Sequence, residues 1–325
     1  MPQNYTFLDT LQLTAENRNS KELTNLQKRA REKYLQTPKL YLLLNHATIL
    51  GDNTKGYQRA LNCAETMVYD NDKEKYIAHY CFDRSCNICN RMRTADLIEK
   101  YGNDFEALSD PYLVTLTAPN VKAEFLDSEI KRMQKIIRKI ADNGRKHNIL
   151  FKGLRKLEIT YNIDRADYHP HFHFIIEGEI ESGYLLQKWL KHNSEATRSA
   201  QDIRKANKGS LKELFKYAVK ETDTTNRKKK DKRPIPIFAL HHIYKTLKGK
   251  RTFQSMGYFA QGIEETENQK PQIRAQEKSE NKGAVLYWKD HDYENKDGEK
   301  FSGYVPTKKD KLKRNKYEEL PLLSG

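Results

Sequence analysis

Acidic residues are in short supply in this chain. Against 59 Lys and Arg stand 44 Asp and Glu, a formal net charge of +15 over 325 residues. A surface so short of internal counter-charge favours a polyanion as partner, since each cation placed near a phosphate releases condensed counterions. Cysteine is scarce too. Four thiols, all between residues 63 and 89, exclude a disulfide scaffold, and their clustering points to a metal. Long apolar runs are missing: the greasiest stretch, "LYLLLNHATIL", is broken by Asn45 and His46 and falls well short of the ~20 residues of a membrane helix. The opening "MPQNYTFLDT" lacks a basic start followed by an apolar core, so the expectation is a cytoplasmic protein without membrane attachment. No internal repeat is visible.

The length suits one large domain or two smaller ones with appendages. Four regions are expected: a charged, partly helical segment at 1–57; a cysteine-rich module at 58–95; a main domain at 105–262; and a charged, partly disordered region at 263–325. Within the last, "EETENQKPQIRAQEKSENK" is poor in apolar residues. "AVLYWKDHDYENKDGEKFSGYV" reads as a hairpin with Asp297-Gly298 as its turn, followed by a basic tail. In the main domain "PYLVTLTAP" and "LRKLEITYN" read as strands. Between them Ile130, Met133, Ile137 and Ile140 recur at helical spacing over 127–142, with Asp127 or Ser128 as N-cap.

Histidine is rare, 10 in all, yet three of them alternate in "YHPHFHFIIEG". The flanking Phe172, Phe174, Ile175 and Ile176 favour a strand. Alternate strand positions share a face, so His169, His171 and His173 project together while the phenylalanines enter a core. Imidazoles on adjacent same-face positions can close on one divalent cation. Glu158 of the preceding strand is the best further ligand, reached by a hairpin through "IDRADY", although an ion pair with a lysine across the sheet or an exposed strand face would also account for it. Asp164 and Asp167 are alternatives. Two imidazoles and a carboxylate describe an open, catalytic site that accepts Mn2+ or Mg2+, with Zn2+ or Fe2+ also allowed by ligand type.

"SLKELFKYAVKETD" (210–223) reads as an amphipathic helix. Leu211, Leu214, Phe215, Ala218 and Val219 form its apolar face, and Glu213, Tyr217 and Lys220 fall opposite. Tyr217 thus sits between a base and a cation that favours its phenolate. Attack on a phosphodiester would conserve the cleaved bond's energy in a phosphotyrosine. In "HYCFDRSCNICNRMR", Cys81, Cys86 and Cys89, joined by the upstream Cys63 or by His79, suit a closed tetrahedral Zn2+ site. Arg84, Arg91 and Arg93 beside it, and Lys248, Lys250 and Arg251 further on, are candidate DNA contacts, as are the basic runs at 227–233 and 308–316.

Three stretches in order, "YLVTLTAPN", "YHPHFHF" and "KYAVK", resemble the motifs of the rolling-circle replication initiators of small bacterial plasmids, within the HUH (His-hydrophobic-His) endonuclease superfamily. "ALHHIYKTLKGKRTFQSMGYFA" is similar to the segment that follows in the single-tyrosine branch. The resemblance spans about 60–262. It implies an α+β fold with a central antiparallel sheet of four or five strands flanked by helices, and nicking then joining of a plasmid origin as a single strand or hairpin. Carried over, His171, His173 and Glu158 bind the metal, Tyr217 is the nucleophile, and Glu213 activates water or a hydroxyl at termination. Lys220 belongs to the tyrosine motif, and His169 matches a histidine without an assigned role. The resemblance also implies a host helicase and replication machinery as partners, and a homodimer is compatible with it. A single-strand transposase or a mobilisation relaxase of the same superfamily, or a non-catalytic zinc protein that binds nucleic acid, are the competing readings.

Overall fold

The computed structural model describes residues 23–215, 219, 221, 233–257 and 282–318. In chain order the elements are α1 (Asn25–Ile49), α2 (Lys55–Leu61), β1 (Thr66–Asp70), β2 (Lys75–Ala78), α3 (Asn87–Glu106), β3 (Pro111–Thr117), α4 (Ala123–Lys146), β4 (Gly153–Asn162), β5 (Asp167–Glu177), α5 (Glu179–His192), β6 (Asp202–Lys205), α6 (Lys208–Leu214), α7 (Ile237–Leu247), β7 (Phe253–Met256), β8 (Lys282–Lys289), β9 (Asp292–Glu294) and α8 (Lys308–Glu318). The fold is α+β with antiparallel sheets. The chain divides into two compact units, one from the described residues within 94–235 and 245–268, the other from those within 12–93, 236–244 and 269–325.

The first unit carries a five-stranded sheet in the order β6-β3-β5-β4-β7, every pair antiparallel. Its middle is the β4–β5 hairpin, closed at the Asn162–Asp167 pair, with Ala166 at positive φ in the turn. Gly153 opens β4 at φ 155°, where a Cβ would overlap the Ile175 carbonyl, so only glycine lets the strands pair this closely. The helix read at 127–142 begins earlier, at Ala123, and its N-cap is Lys122 rather than Asp127 or Ser128. Asp127 instead pairs with Lys131 and Lys250, and Ser128 donates back to Phe125 O. Ile130, Met133, Ile137 and Ile140 are all buried, each contributing about 1.5–3 kcal/mol by leaving water. On α5, Trp189 is fully buried and its Nε1–H donates to Thr117 O at 3.0 Å.

The helix expected over 210–223 closes at Leu214. Phe215 caps it, its N–H returning to Leu211 O, and Val219 forms a parallel bridge with Ile159 on β4. Leu211, Leu214 and Phe215 enter a core with Tyr101, Leu113, Leu154 and Ile175. Burial of these side chains, and β pairing by the β-branched Val219, outweigh the helical preference of the local sequence. The described part of the predicted helix thus carries Glu213 alone of the three polar residues expected on its outer face. Tyr217 and Lys220 lie outside the described residues, as do Ala218, 227–232 of the basic break and most of 264–282.

The second unit holds a four-stranded sheet in the order β2-β1-β8-β9. β8 comes from the C-terminal region and pairs with β1 of the cysteine segment, Met67 opposite Leu286. The β8–β9 hairpin turns at Asp290-His291; Asp297-Gly298 lies in a second, wider turn that closes the Glu294–Lys300 bridge. Ala30, Met67, Leu286, Tyr293 and Tyr304 form the core. Thr24 and Gln27 build a capping box at the start of α1. Also in this unit, His241 lies between Asp52 Oδ2 and Tyr57 Oη, each at 2.9 Å.

Candidate metal centres and nucleophile

Strand register sets the first centre. In the β4–β5 ladder Glu158 stands opposite His171, Lys156 opposite His173 and Thr160 opposite His169, while β3 sets Thr115 against His173. Directly opposed residues share a face with their Cβ atoms about 5 Å apart. Glu158, His171 and His173 are buried at 2%, 5% and 6% exposure. His171 Nε2 lies 3.4 Å from Glu158 Oε1, and His173 Nε2 3.8 Å from Oε2. One donor atom from each of the three falls within 4.8 Å of the others.

The rings are held from behind. His171 Nδ1 donates to His169 O at 3.1 Å, which leaves Nε2 as the lone-pair nitrogen. His173 Nδ1 meets Thr115 Oγ1 at 3.1 Å. A buried N2O set with both Nε2 atoms turned to one carboxylate fits a divalent cation. His169 is half-buried and stacks on His171, ring centroids 5.0 Å apart. Asp164 and Asp167 are engaged elsewhere, with Arg233 and with Asn120 and Arg165.

Sequence reasoning passed over Lys156. Its Nζ donates to Glu158 Oε2 at 2.7 Å, and both side chains are 2% exposed. The ion pair weighed as an alternative role for Glu158 is present, along the same strand rather than across the sheet, and coexists with the histidine contacts. Lys156 holds one carboxylate oxygen and sets the charge of the pair to zero. A lysine between Arg155 and Leu157 gives no sign from spacing that it is buried.

Glu213, on α6, is half-exposed and pairs with Arg204 at 3.4 Å. Tyr217 and Lys220 are flanked by fixed points: Thr94 Oγ1 donates to Phe215 O, Val219 pairs with Ile159, and Ile235 N–H donates to Glu221 O.

The second centre is in the other unit. Cys63, Cys81, Cys86 and Cys89 are all buried, with one Sγ from each inside 4.8 Å of the rest. Cys63 and Cys89 sulfurs are 3.5 Å apart, Cys81 and Cys89 3.6 Å. A tetrahedron of sulfurs about Zn2+ at ~2.3 Å has edges near these lengths. Backbone N–H groups of Phe82 and Asp83 point at Cys89 and Cys81 sulfurs. Contacts with Cys63 first, then Cys81 and Cys89, hold the Cys86 thiol well below its ordinary pKa. Cys63, not His79, completes the set.

Two buried lysines of α1 arrange this centre, and sequence patterning did not reveal them. Lys33 Nζ donates to Leu61 O and Cys63 O; Lys39 Nζ donates to Ser85 O and Asn87 Oδ1. Lys33 Nζ also pairs with Glu65 Oε2 at 2.7 Å, so its charge is met by that carboxylate while its hydrogen bonds fix the backbone that carries Cys63. Arg93 is used internally, donating to Phe82 O and Asn90 Oδ1, and Arg91 lies 3.9 Å from Glu32. Arg84 is half-buried beside them; Lys248 and Arg251 are exposed, and Lys250 pairs with Asp127.

Among the described residues no helix is long and apolar enough to cross a membrane. Residues 73–298 match the Replication protein family. A Staphylococcus aureus protein named Protein rep is 32% identical over 205 residues, 56% of this chain and 88% of its own length. Proteins of the same name from a Bacillus species and from Bacillus amyloliquefaciens are 27% and 26% identical over 54% of this chain, covering 69% and 63% of their own lengths. No solved structure matches the chain.

Proposed function

We propose, from the premise that this chain belongs to the Replication protein family, the plasmid rolling-circle initiators its motifs resemble, that it nicks one strand of its plasmid's origin through Tyr217 and later rejoins the ends. The observation that carries this reading is the convergence of Glu158, His171 and His173 on one buried face of the sheet, beside the strand residue that pairs with Val219. Tyr217 is two positions before Val219 in the chain, at most about 7 Å of extended chain. The HUH-type core is thereby assigned to the first unit.

Tyr217 Oη attacks the scissile phosphorus; the P–O3′ bond breaks, the 5′ phosphate stays on tyrosine, and the 3′ oxygen takes up a proton and primes synthesis. His171, His173 and Glu158 would hold Mn2+ or Mg2+, which when bound would supply Lewis-acid polarisation of a phosphoryl oxygen. Lys156 fixes the carboxylate and excludes a second negative charge. Lys220, three residues on from Tyr217, favours the phenolate. Glu213 takes the proton from water, or from the incoming 3′ hydroxyl, at termination.

The test incubates the full chain with labelled single-stranded origin DNA and Mn2+. A covalent adduct that resists denaturation, vanishes with chelator and returns with metal is expected. No adduct on either origin strand would defeat the reading and leave a zinc protein that binds DNA without catalysis.

The four thiolates hold a structural Zn2+. Such sites contribute about 10–16 kcal/mol to folding in isolated zinc modules at pH 7. Cys86→Ser is expected to lose the bound zinc equivalent and to lower the unfolding midpoint sharply, read by colorimetric zinc release and urea denaturation. Wild-type protein containing no zinc, or a serine variant that keeps it, would show that the cluster is a set of reduced thiols.

A further inference from the structure

The nicking site leaves a second feature of the first unit unused. A cleft of about 740 Å3 lies between α4, the start of β4 and the segment leading into β7. Its lining includes six cations, Arg138, Arg145, Lys152, Arg155, Lys250 and Arg251, and no carboxylate. Arg145 is paired with Asp142 and Lys250 with Asp127. The other four make no salt bridge among the described residues.

Arg155 shows how unbalanced the charge is. It alternates with Lys156 along β4 and therefore points to the sheet face opposite the histidines. Its guanidinium sits 5.2 Å from the Phe172 ring centre and donates to Gln254 Oε1. Burial first, then the neighbouring Arg138, pushes its pKa down to about 10. Two guanidinium groups brought together in a cleft lined by no acid are stabilised when an anion supplies the missing charge.

The anion's class follows from the lining. Grooves for single strands interleave cations with exposed aromatic rings on which bases stack. Here the one aromatic is Phe151, which is buried. Exposed arginines and a lysine without stacking rings suit a regular backbone of phosphates. We infer that this cleft grips the phosphodiester backbone of duplex DNA flanking the nick site, on the side of the sheet away from the metal ligands. The inference rests on the origin-nicking reading for the identity of its DNA.

The test replaces three exposed cations together, Arg138→Gln/Lys152→Gln/Arg251→Gln, and spares the partly buried Arg155; the single Arg138→Gln serves if the triple variant does not fold. Fluorescence anisotropy of the full chain is measured across a salt series with duplex origin DNA and with the single-stranded nick-site oligonucleotide. The duplex affinity is expected to fall on the order of 10–100-fold, and the slope of log K against log salt to shrink by about 2–3, or about 1 for the single variant. Single-strand binding and Mn2+-dependent adduct formation on the oligonucleotide stay at the parent's level. Unchanged duplex affinity and slope, or an equal loss on single strands, overturns the assignment. Adduct chemistry is read on single strands and cleft binding on duplex, so a failure of the nicking reading appears separately, as wild-type protein that forms no adduct while its duplex binding still depends on the three cations.

Discussion

Tyr217→Phe is expected to bind the single-stranded origin like the parent protein and to leave no covalent mark on it. The substitution removes one oxygen and keeps the ring, so whatever the ring contacts in DNA persists. What disappears is the only atom at that position able to form the phosphoester. Loss of the nucleophile in a covalent mechanism costs on the order of 10^4-fold or more in turnover. Single-turnover cleavage of a labelled oligonucleotide, resolved on a denaturing gel, measures both the nick and the adduct. The chain has 19 tyrosines. An adduct that survives in Tyr217→Phe would move the nucleophile to another of them and would leave the anchoring of Val219 beside Glu158 without a catalytic meaning.

Glu158→Ala is expected to fail in two ways at once. It takes a ligand from the His171/His173 pair, and Mn2+ affinity should fall by at least about 100-fold, since even the supporting partners of metal ligands are worth 10–100-fold. It also removes the carboxylate to which Lys156 donates. That ammonium is 2% exposed and 2.7 Å from the carboxylate being removed. Breaking a buried ion pair by removing one member costs about 3–5 kcal/mol. Lys156→Met/Glu158→Ala should recover most of the lost stability and none of the metal affinity, because two apolar side chains can occupy the space of a buried ion pair. Urea denaturation without metal and Mn2+ titration by electron paramagnetic resonance separate the two losses. An alanine variant as stable as the parent would mean that Lys156 reaches water when its partner is gone.

How far the sequence carried is clearest on β4 and β5. Alternation of His171 and His173 with Phe172 and Phe174 placed the imidazoles on one face, and the short "IDRADY" turn brought Glu158 opposite them. Period-two patterning and a short hairpin are local signals, so they survive without knowledge of the rest of the chain. Lys156, Lys33 and Lys39 were not legible, because a lysine declares its burial only through the groups it meets. Lys156 meets a neighbour two residues away; Lys33 and Lys39 meet carbonyls and an amide 28 to 48 residues away. The segment after Ser210 misled for a different reason. Its apolar spacing fits a helix, but Val219 is claimed by Ile159, some 60 residues earlier in the chain. The pairing of β8 with β1 was equally hidden, since the strands lie more than 200 residues apart and the C-terminal one reads as half of its own hairpin.

That last pairing bears on how the polypeptide is made. β1 ends at Asp70, and the strand that completes its far edge begins at Lys282. At ~5–20 residues per second the ribosome needs on the order of 10–40 s to deliver the missing neighbour. Throughout that interval a two-stranded ribbon offers naked amide and carbonyl groups to any other nascent chain. A truncated product stopping short of residue 282 would keep that sticky edge for its whole lifetime, and a polysome crowded with such intermediates is where aggregation of this protein would begin.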